Sequence, residues 1–263
     1  MERKVIATHS SRGGTGKTTL ATNLAITYLN QGLNVALLDL DFRAPSMLSL
    51  FSKKIQMPVT KWLNDFMLDE CELEDALVDV AAGFGSDGKL LLGLANPSLE
   101  AIKSMTGRSR AWEVGAAKKL FSIRHTLFDR TDIDCCILDT SPGIHYSSIN
   151  SVVSSDVTVI VSTLNPVDVA GVKNMLAEFY EEFEKRAVIL INKTFPQTRF
   201  WPESKREELA DKMEKVFGHT VIGVIPCYCD VLETNSGSFL VVEQPDHPFV
   251  KDLQEVAKKL ETM

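Results

Sequence analysis

The stretch Ser11-Arg12-Gly13-Gly14-Thr15-Gly16-Lys17-Thr18, followed by Thr19, decides the reading of this 263-residue chain. An apolar run at residues 5–8 leads into it, and a helical pattern from Lys17 to Gln31 leaves it. Strand, glycine-rich loop and helix in that order are the setting of a phosphate-binding loop. Glycines let backbone N–H groups turn inward around phosphate oxygens, and the first turn of the helix adds partial positive charge. Lys17 is placed to reach the terminal phosphates of a nucleotide, and the Thr18 hydroxyl to bind Mg²⁺. A glycine-rich turn that merely joins strand to helix is the competing reading, and the context fits it less well.

Outward from the loop, short runs of Val, Ile and Leu alternate with longer helical patterns. The runs are residues 5–8, 35–39, 90–95, 135–139, 157–162, 188–192 and 221–225. Nearly continuous apolar strands are expected where both faces of a parallel sheet are covered. The first helix carries Leu20, Leu24 and Tyr28 on one face and stops at Gly32. Another begins at Asn165-Pro166, with Val169, Val172, Leu176 and Phe179 inward, and the last covers residues 248–260. Strands alternating with helices imply right-handed βαβ units. The expected fold is α/β: a doubly wound, mainly parallel sheet of seven to eight strands flanked by helices, as one domain over residues 1–263.

With 44% hydrophobic and 24% charged residues, the chain is a folded protein rather than a disordered one. A formal net charge of −7 weighs against nonspecific DNA binding, which needs clustered Lys and Arg. Five cysteines without a regular framework suggest a reducing compartment. No signal peptide opens the sequence and no run is long enough to span a bilayer, so a cytoplasmic location is expected.

The loop resembles the deviant P-loop of the MinD/ParA family of ATPases, whose common form is Lys-Gly-Gly-x-Gly-Lys-Thr. Ser11 stands where the usual P-loop has its first glycine, and Arg12 stands where that family has its signature lysine. Arginine keeps the charge and adds a planar donor fork. The resemblance implies that Arg12 reaches across an ATP-sandwiched homodimer to the partner's phosphates; the alternative is a contact with its own nucleotide or a nearby acid. Asp39-Leu40-Asp41 through Pro45-Ser46 resembles the family's switch I, which implies that Asp41 positions the attacking water and that Asp39 supports Mg²⁺ or Lys17. Asp139-Thr140-Ser141-Pro142-Gly143 resembles Walker B and switch II, with Ser141 in place of a proline. By that resemblance Asp139 holds Mg²⁺ and the Gly143 backbone senses the γ-phosphate. Asn192, at a strand end, resembles the family's adenine-contacting asparagine, and Pro226 the segment that closes over the base. Residues 60–65 through 73–77 fit the helical insert that follows switch I. The implied cofactors are ATP and Mg²⁺, and the implied activity is slow ATP hydrolysis that times a switch.

Several features carry less. Cys227-Tyr228-Cys229 has too few ligands for a metal cluster, and the Cys-x-x-Cys pair of related cluster carriers is absent. Cys135 and Cys136 read as small core residues, and His9 as a packing or hydrogen-bonding one. Lys118, Lys119, Arg124, His125 and Arg130 form a basic stretch whose default reading is a solvated helix face. No segment with bulky apolar residues opposite Lys and Arg follows the last helix, so autonomous membrane binding is not expected. A protein partner or activator is expected. Division, chromosome or DNA partitioning, motility and secretion machinery are the settings of such switches. A metallocentre-assembly or metabolic ATPase, and a non-hydrolysing nucleotide-gated scaffold, stay open beside them.

Overall fold

The structure, a computed structural model, describes residues 2–181, 185–228, 230–231 and 239–263. Eight strands form one sheet: β1 (Lys4–His9), β2 (Val35–Leu40), β3 (Leu77–Asp79), β4 (Leu90–Gly93), β5 (Cys135–Thr140), β6 (Val157–Ser162), β7 (Ala187–Thr194) and β8 (Val221–Pro226). Their spatial order is β3-β4-β2-β5-β1-β6-β7-β8. Every neighbouring pair is parallel except β3 with β4. From β1 the chain first winds toward β2 and β4, then returns through β5 to β6, β7 and β8. The carboxyl end of β1 therefore lies where the winding direction reverses, the place where open α/β sheets bind ligands.

Successive residues of the central strands enter opposite cores. Ile6, Val35, Leu37, Cys135 and Ile137 face α1 (Lys17–Asn30) and the last helix, Pro248–Glu261. Val5, Ala7, Ala36, Leu38, Cys136 and Leu138 pack with Leu120 and Ile123 of the helix Arg110–His125 on the other side. A third cluster joins Val172 and Met175 of the helix Pro166–Met175 to Ile189 and Ile191 of β7. Both faces are covered, which is why these strands read as unbroken apolar runs. Cys135 and Cys136 are fully buried, one on each face.

Three expectations need correction. The segment 60–77 is less helical than expected: it holds a short helix, Leu63–Met67, and a single 3-10 turn, Glu74–Ala76, while Leu77 opens β3. That strand is an antiparallel edge of three residues, half exposed and too short to show a buried-strand pattern. The run at residues 90–95 ends as a strand at Gly93. There a Cβ would lie 2.6 Å from a Leu38 methyl, so glycine makes room for that side chain. Finally, α1 is buried well beyond the face of Leu20, Leu24 and Tyr28; Ala21, Ala25 and Thr27 are covered too. The sheet lies on one side of it, and the Tyr28 hydroxyl reaches the Ala257 carbonyl on the other, 3.2 Å away.

Candidate nucleotide site

The phosphate loop joins β1 to α1 at that reversal point. Gly14 and Gly16 take φ values of 85° and 97°, left-handed conformations that glycine adopts without a Cβ penalty. Gly16 also caps α1, whose first turn has no acidic residue to compete with a bound anion. Lys17 is 7% exposed. Burial lowers its pKa, while the carboxylates of Asp139 and Asp41 act in the opposite direction. The Thr15 hydroxyl is buried with no hydrogen-bond partner, a polar group left available inside the loop.

Strand register brings the acids together. Thr8 of β1 pairs with Asp139 of β5, and Asp139 in turn lies opposite Asp39 of β2. Three residues remote in sequence thus sit at one level across three adjacent strands. Both acids are 1% exposed. Asp139 accepts a hydrogen bond from the Thr8 hydroxyl at 3.1 Å, and the Thr18 hydroxyl also donates to it. Its pKa is pushed up to about 6, chiefly by burial. Asp39 is raised well above the usual carboxylate range, first by burial and then by the charge of Asp139. It accepts from the Asp41 and Met47 amides at 3.1 and 3.4 Å. Two buried acids that oppose each other's ionisation, with a threonine hydroxyl between them and the loop, are the oxygen donors that a hard divalent cation requires. Asp139, Asp39 and Thr18 therefore fit Mg²⁺. Asp41, half-buried just past β2, has its carboxylate on the Ala44 amide at 3.3 Å.

Asn192 closes over the loop from β7, its amide donating to the Thr15 carbonyl at 2.8 Å. Next to it, Lys193 adopts a left-handed φ of 52°, and its Nζ reaches the Gly14 carbonyl at 2.8 Å. That conformation costs roughly 1 kcal/mol in a non-glycine residue. Asn192, Lys193, Pro226, Tyr228 and Phe249 line a narrow cleft of about 50 Å³ beside Gly16 and Thr19. This is where the sequence reading puts the base, so Asn192 and Pro226 do converge there.

Arg12 is half exposed and lies 3.5 Å from Asp168, which belongs to the same chain and is largely buried. Asp168 also accepts from the Thr163 hydroxyl at 2.6 Å, and its backbone carbonyl takes the Ser11 hydroxyl at 3.4 Å. Gly171, one turn further along that helix, approaches so closely that a Cβ would lie 2.8 Å from Ser11 Oγ. Sequence reasoning missed Thr8, Asp168, Gly171 and Lys193. The two switch segments also touch: Arg43 Nη1 lies 3.0 Å from His145 Nε2. A cavity of about 220 Å³ opens behind that contact, between Phe42, Met67, Trp112 and Ile144.

Three members of the basic stretch are paired with acids. Lys119 lies 2.6 Å from Asp69, Arg130 3.2 Å from Glu74, and Arg124 is bonded to Asp156. Among the described residues no group of three His, Cys, Asp or Glu side chains could hold a metal ion by themselves. Cys227 is half-buried; Cys229 lies outside the described residues. No described helix is long and apolar enough to cross a membrane.

Comparison with known proteins agrees with this geometry. A family model described as an AAA domain matches residues 3–194. The uncharacterized ATP-binding protein MJ0547 of Methanocaldococcus jannaschii is 28% identical over 257 residues, covering 97% of this chain and 86% of that protein. The iron-sulfur cluster transfer protein NUBPL of Dictyostelium discoideum is 26% identical, covering 98% and 76%. The septum site-determining protein MinD of Synechocystis is 24% identical, covering 98% and 89%. Among solved structures, the cell division ATPase MinD of Pyrococcus furiosus superposes with a TM-score of 0.76 at 18% identity, covering 100% of this chain and 99% of the other. MinD of Pyrococcus horikoshii complexed with Mg-ADP gives 0.74 at 17% identity, covering 99% and 96%. An ATP complex of a McdA variant from Cyanothece gives 0.76 at 18% identity, covering 100% and 97%. The chain belongs to this AAA-domain family, with the P-loop fold of the MinD/ParA type.

Proposed function

We propose that this chain binds Mg²⁺·ATP, forms a face-to-face homodimer around the nucleotide, and hydrolyses ATP slowly as a switch that recruits or positions a protein partner. One observation carries most of this reading. Asp39 and Asp139 are buried side by side at the foot of the phosphate loop, where burial and the charge of Asp139 raise the pKa of Asp39 and a shared cation would relieve both. Mg²⁺, when bound, supplies charge neutralisation of the phosphates. The rest is done by the chain itself. Loop amides and the α1 N-terminus hold phosphate oxygens, and Lys17 adds a desolvated positive charge beside them. Asp41 stands at the mouth of the site, where its carboxylate orients an attacking water. Asn192, Lys193 and Pro226 frame the base.

Arg12 lies 3.5 Å from Asp168 in the single chain, a long contact made by a half-exposed guanidinium and of small net energy. Such a contact is easily exchanged for phosphate oxygens of a second protomer, which supports the role in trans. The whole of residues 1–263 acts as one domain in this reading. Salt-bridged basic residues on the helix Arg110–His125 and the net charge of −7 speak against nonspecific DNA as the partner.

A second reading, an iron–sulfur cluster carrier, draws on relatives such as NUBPL. The Cys-x-Cys spacing at Cys227 and Cys229 lacks the paired-ligand geometry that such a site needs. A third reading, a nucleotide-gated scaffold without hydrolysis, shares the whole binding site and differs only in turnover. One experiment separates the three: purified protein is assayed for bound iron, for ATP-dependent dimerisation, and for phosphate release. Dimerisation and release without iron support the switch. Iron at one atom or more per dimer favours the carrier, and dimerisation without release favours the scaffold.

A further inference from the structure

His9 ends β1 and is fully buried, yet both its ring nitrogens are hydrogen bonded. Nδ1 lies 2.8 Å from the Tyr180 hydroxyl and Nε2 2.9 Å from the Gly143 carbonyl. A carbonyl only accepts, so Nε2 carries the proton. Nδ1 is then the acceptor, and Tyr180 donates to it. Tyr180 is 1% exposed and closes the wide turn Leu176–Tyr180 that continues the helix Pro166–Met175. The contact thus admits one tautomer of a neutral ring. Burial favours that neutral form and lowers the pKa to about 4 against the raising effect of the Gly143 hydrogen bond, and the charges of Lys17 and His145 lower it further.

What Nε2 holds is the switch II glycine. Gly143 has a φ of 79°, a conformation in which few side chains are at ease. Its carbonyl also accepts from the Ser148 hydroxyl at 2.7 Å. Its N–H donates to the Ser10 carbonyl at 2.8 Å, at the entrance of the phosphate loop. The peptide on each side of Gly143 is therefore tied down, and the His9 ring reaches its carbonyl from the end of β1. On the nucleotide-binding reading, a terminal phosphate in the loop would compete with Ser10 for that N–H.

We propose that His9 is a positioning residue for switch II: by holding the Gly143 carbonyl, it aims the Gly143 N–H at the terminal phosphate and so makes the site distinguish a nucleoside triphosphate from a diphosphate. This rests on the nucleotide-binding role above. Without the Nε2 donor, Gly143 keeps only the Ser148 bond on its carbonyl, and its N–H samples a wider range of directions. Tyr180 contributes by fixing the tautomer.

The test compares His9→Leu with His9→Gln, whose amide nitrogen can donate to the same carbonyl. Affinities for ADP and for a non-hydrolysable ATP analogue are measured by calorimetry, and amide hydrogen exchange around Gly143 is measured without nucleotide. For His9→Leu the ATP-analogue affinity falls about tenfold relative to ADP, as expected for one lost hydrogen bond. Exchange at Gly143 speeds up by about the same factor, and His9→Gln restores most of both. An unchanged affinity ratio and unchanged exchange in folded His9→Leu overturn the proposal, as does a glutamine variant no better than leucine. Should His9→Leu fail to fold, Tyr180→Phe replaces it: a lowered ratio supports the positioning role, and an unaltered ratio overturns it. A wild-type protein that binds neither nucleotide contradicts the function proposed above instead, and the exchange measurement still decides the His9 contact.

Discussion

Lowering the pH from 7 to 4.5 should cost this protein stability through His9 alone, by an amount the structure sets. In the unfolded chain His9 takes up a proton near its ordinary value of 6.5; in the folded protein burial delays this to about 4. Between those two values the unfolded state binds a proton that the native state does not, so stability rises with pH across this window. The contribution is complete above pH 6.5 and is lost as the pH falls toward 4. The full gap, at about 1.4 kcal/mol per pH unit, is worth about 3 kcal/mol, and about 2 kcal/mol of it is gone by pH 4.5. Asp139 works in the opposite sense. Its pKa is raised to about 6, so the native state takes up its proton first and acidification relieves it. The two effects partly cancel in wild type, which is why a difference is needed. Urea unfolding of wild type and His9→Gln at both pH values isolates the histidine. The stability advantage of wild type should shrink by about 2 kcal/mol from pH 7 to pH 4.5. A difference between the two proteins that does not vary with pH would refute the reasoning, because it would mean that the ring protonates as readily in the folded protein as outside it.

Other substitutions probe the rest of the site. Asp139→Asn should abolish Mg²⁺-dependent turnover yet raise the melting temperature without nucleotide, by about 1 kcal/mol of stability, because one of two opposed buried carboxylates is gone; a lowered melting temperature would contradict the electrostatic account. Arg12→Ala should leave the stability of the single chain within about 1 kcal/mol, since the Arg12 side chain is half exposed and its contact with Asp168 is long at 3.5 Å, while removing ATP-dependent dimerisation as read by light scattering. Gly171→Ala should weaken ATP binding several-fold in a fluorescence titration, since its methyl would press on Ser11 at 2.8 Å and displace the loop, at a cost of about 1–3 kcal/mol. Unchanged affinity would show that the loop yields freely.

The phosphate loop and seven of the strands could be read from sequence because their signals are local. Glycine spacing around Lys17 and unbroken runs such as the one in β6 need no knowledge of the fold. Edge strand β3 escaped because three half-exposed residues carry no buried pattern. Asp39 and Asp139 were legible as acids at strand ends, but their mutual effect depends on the β2–β5 register, which no spacing reveals. Thr8 is silent for the same reason. Asp168 and Lys193 act through contacts with loop residues more than 150 positions away, and His9 through a glycine 134 positions on. Their chemistry exists only once the sheet has been assembled.

The most direct measurement is the mass in solution of the Asp41→Ala variant, by sedimentation, with Mg²⁺·ATP and with Mg²⁺·ADP. If Asp41 orients the attacking water and ATP joins two protomers, this variant accumulates as a dimer with ATP and stays a monomer with ADP, while phosphate release is lost. A variant that binds ATP with wild-type affinity and remains monomeric would contradict the account.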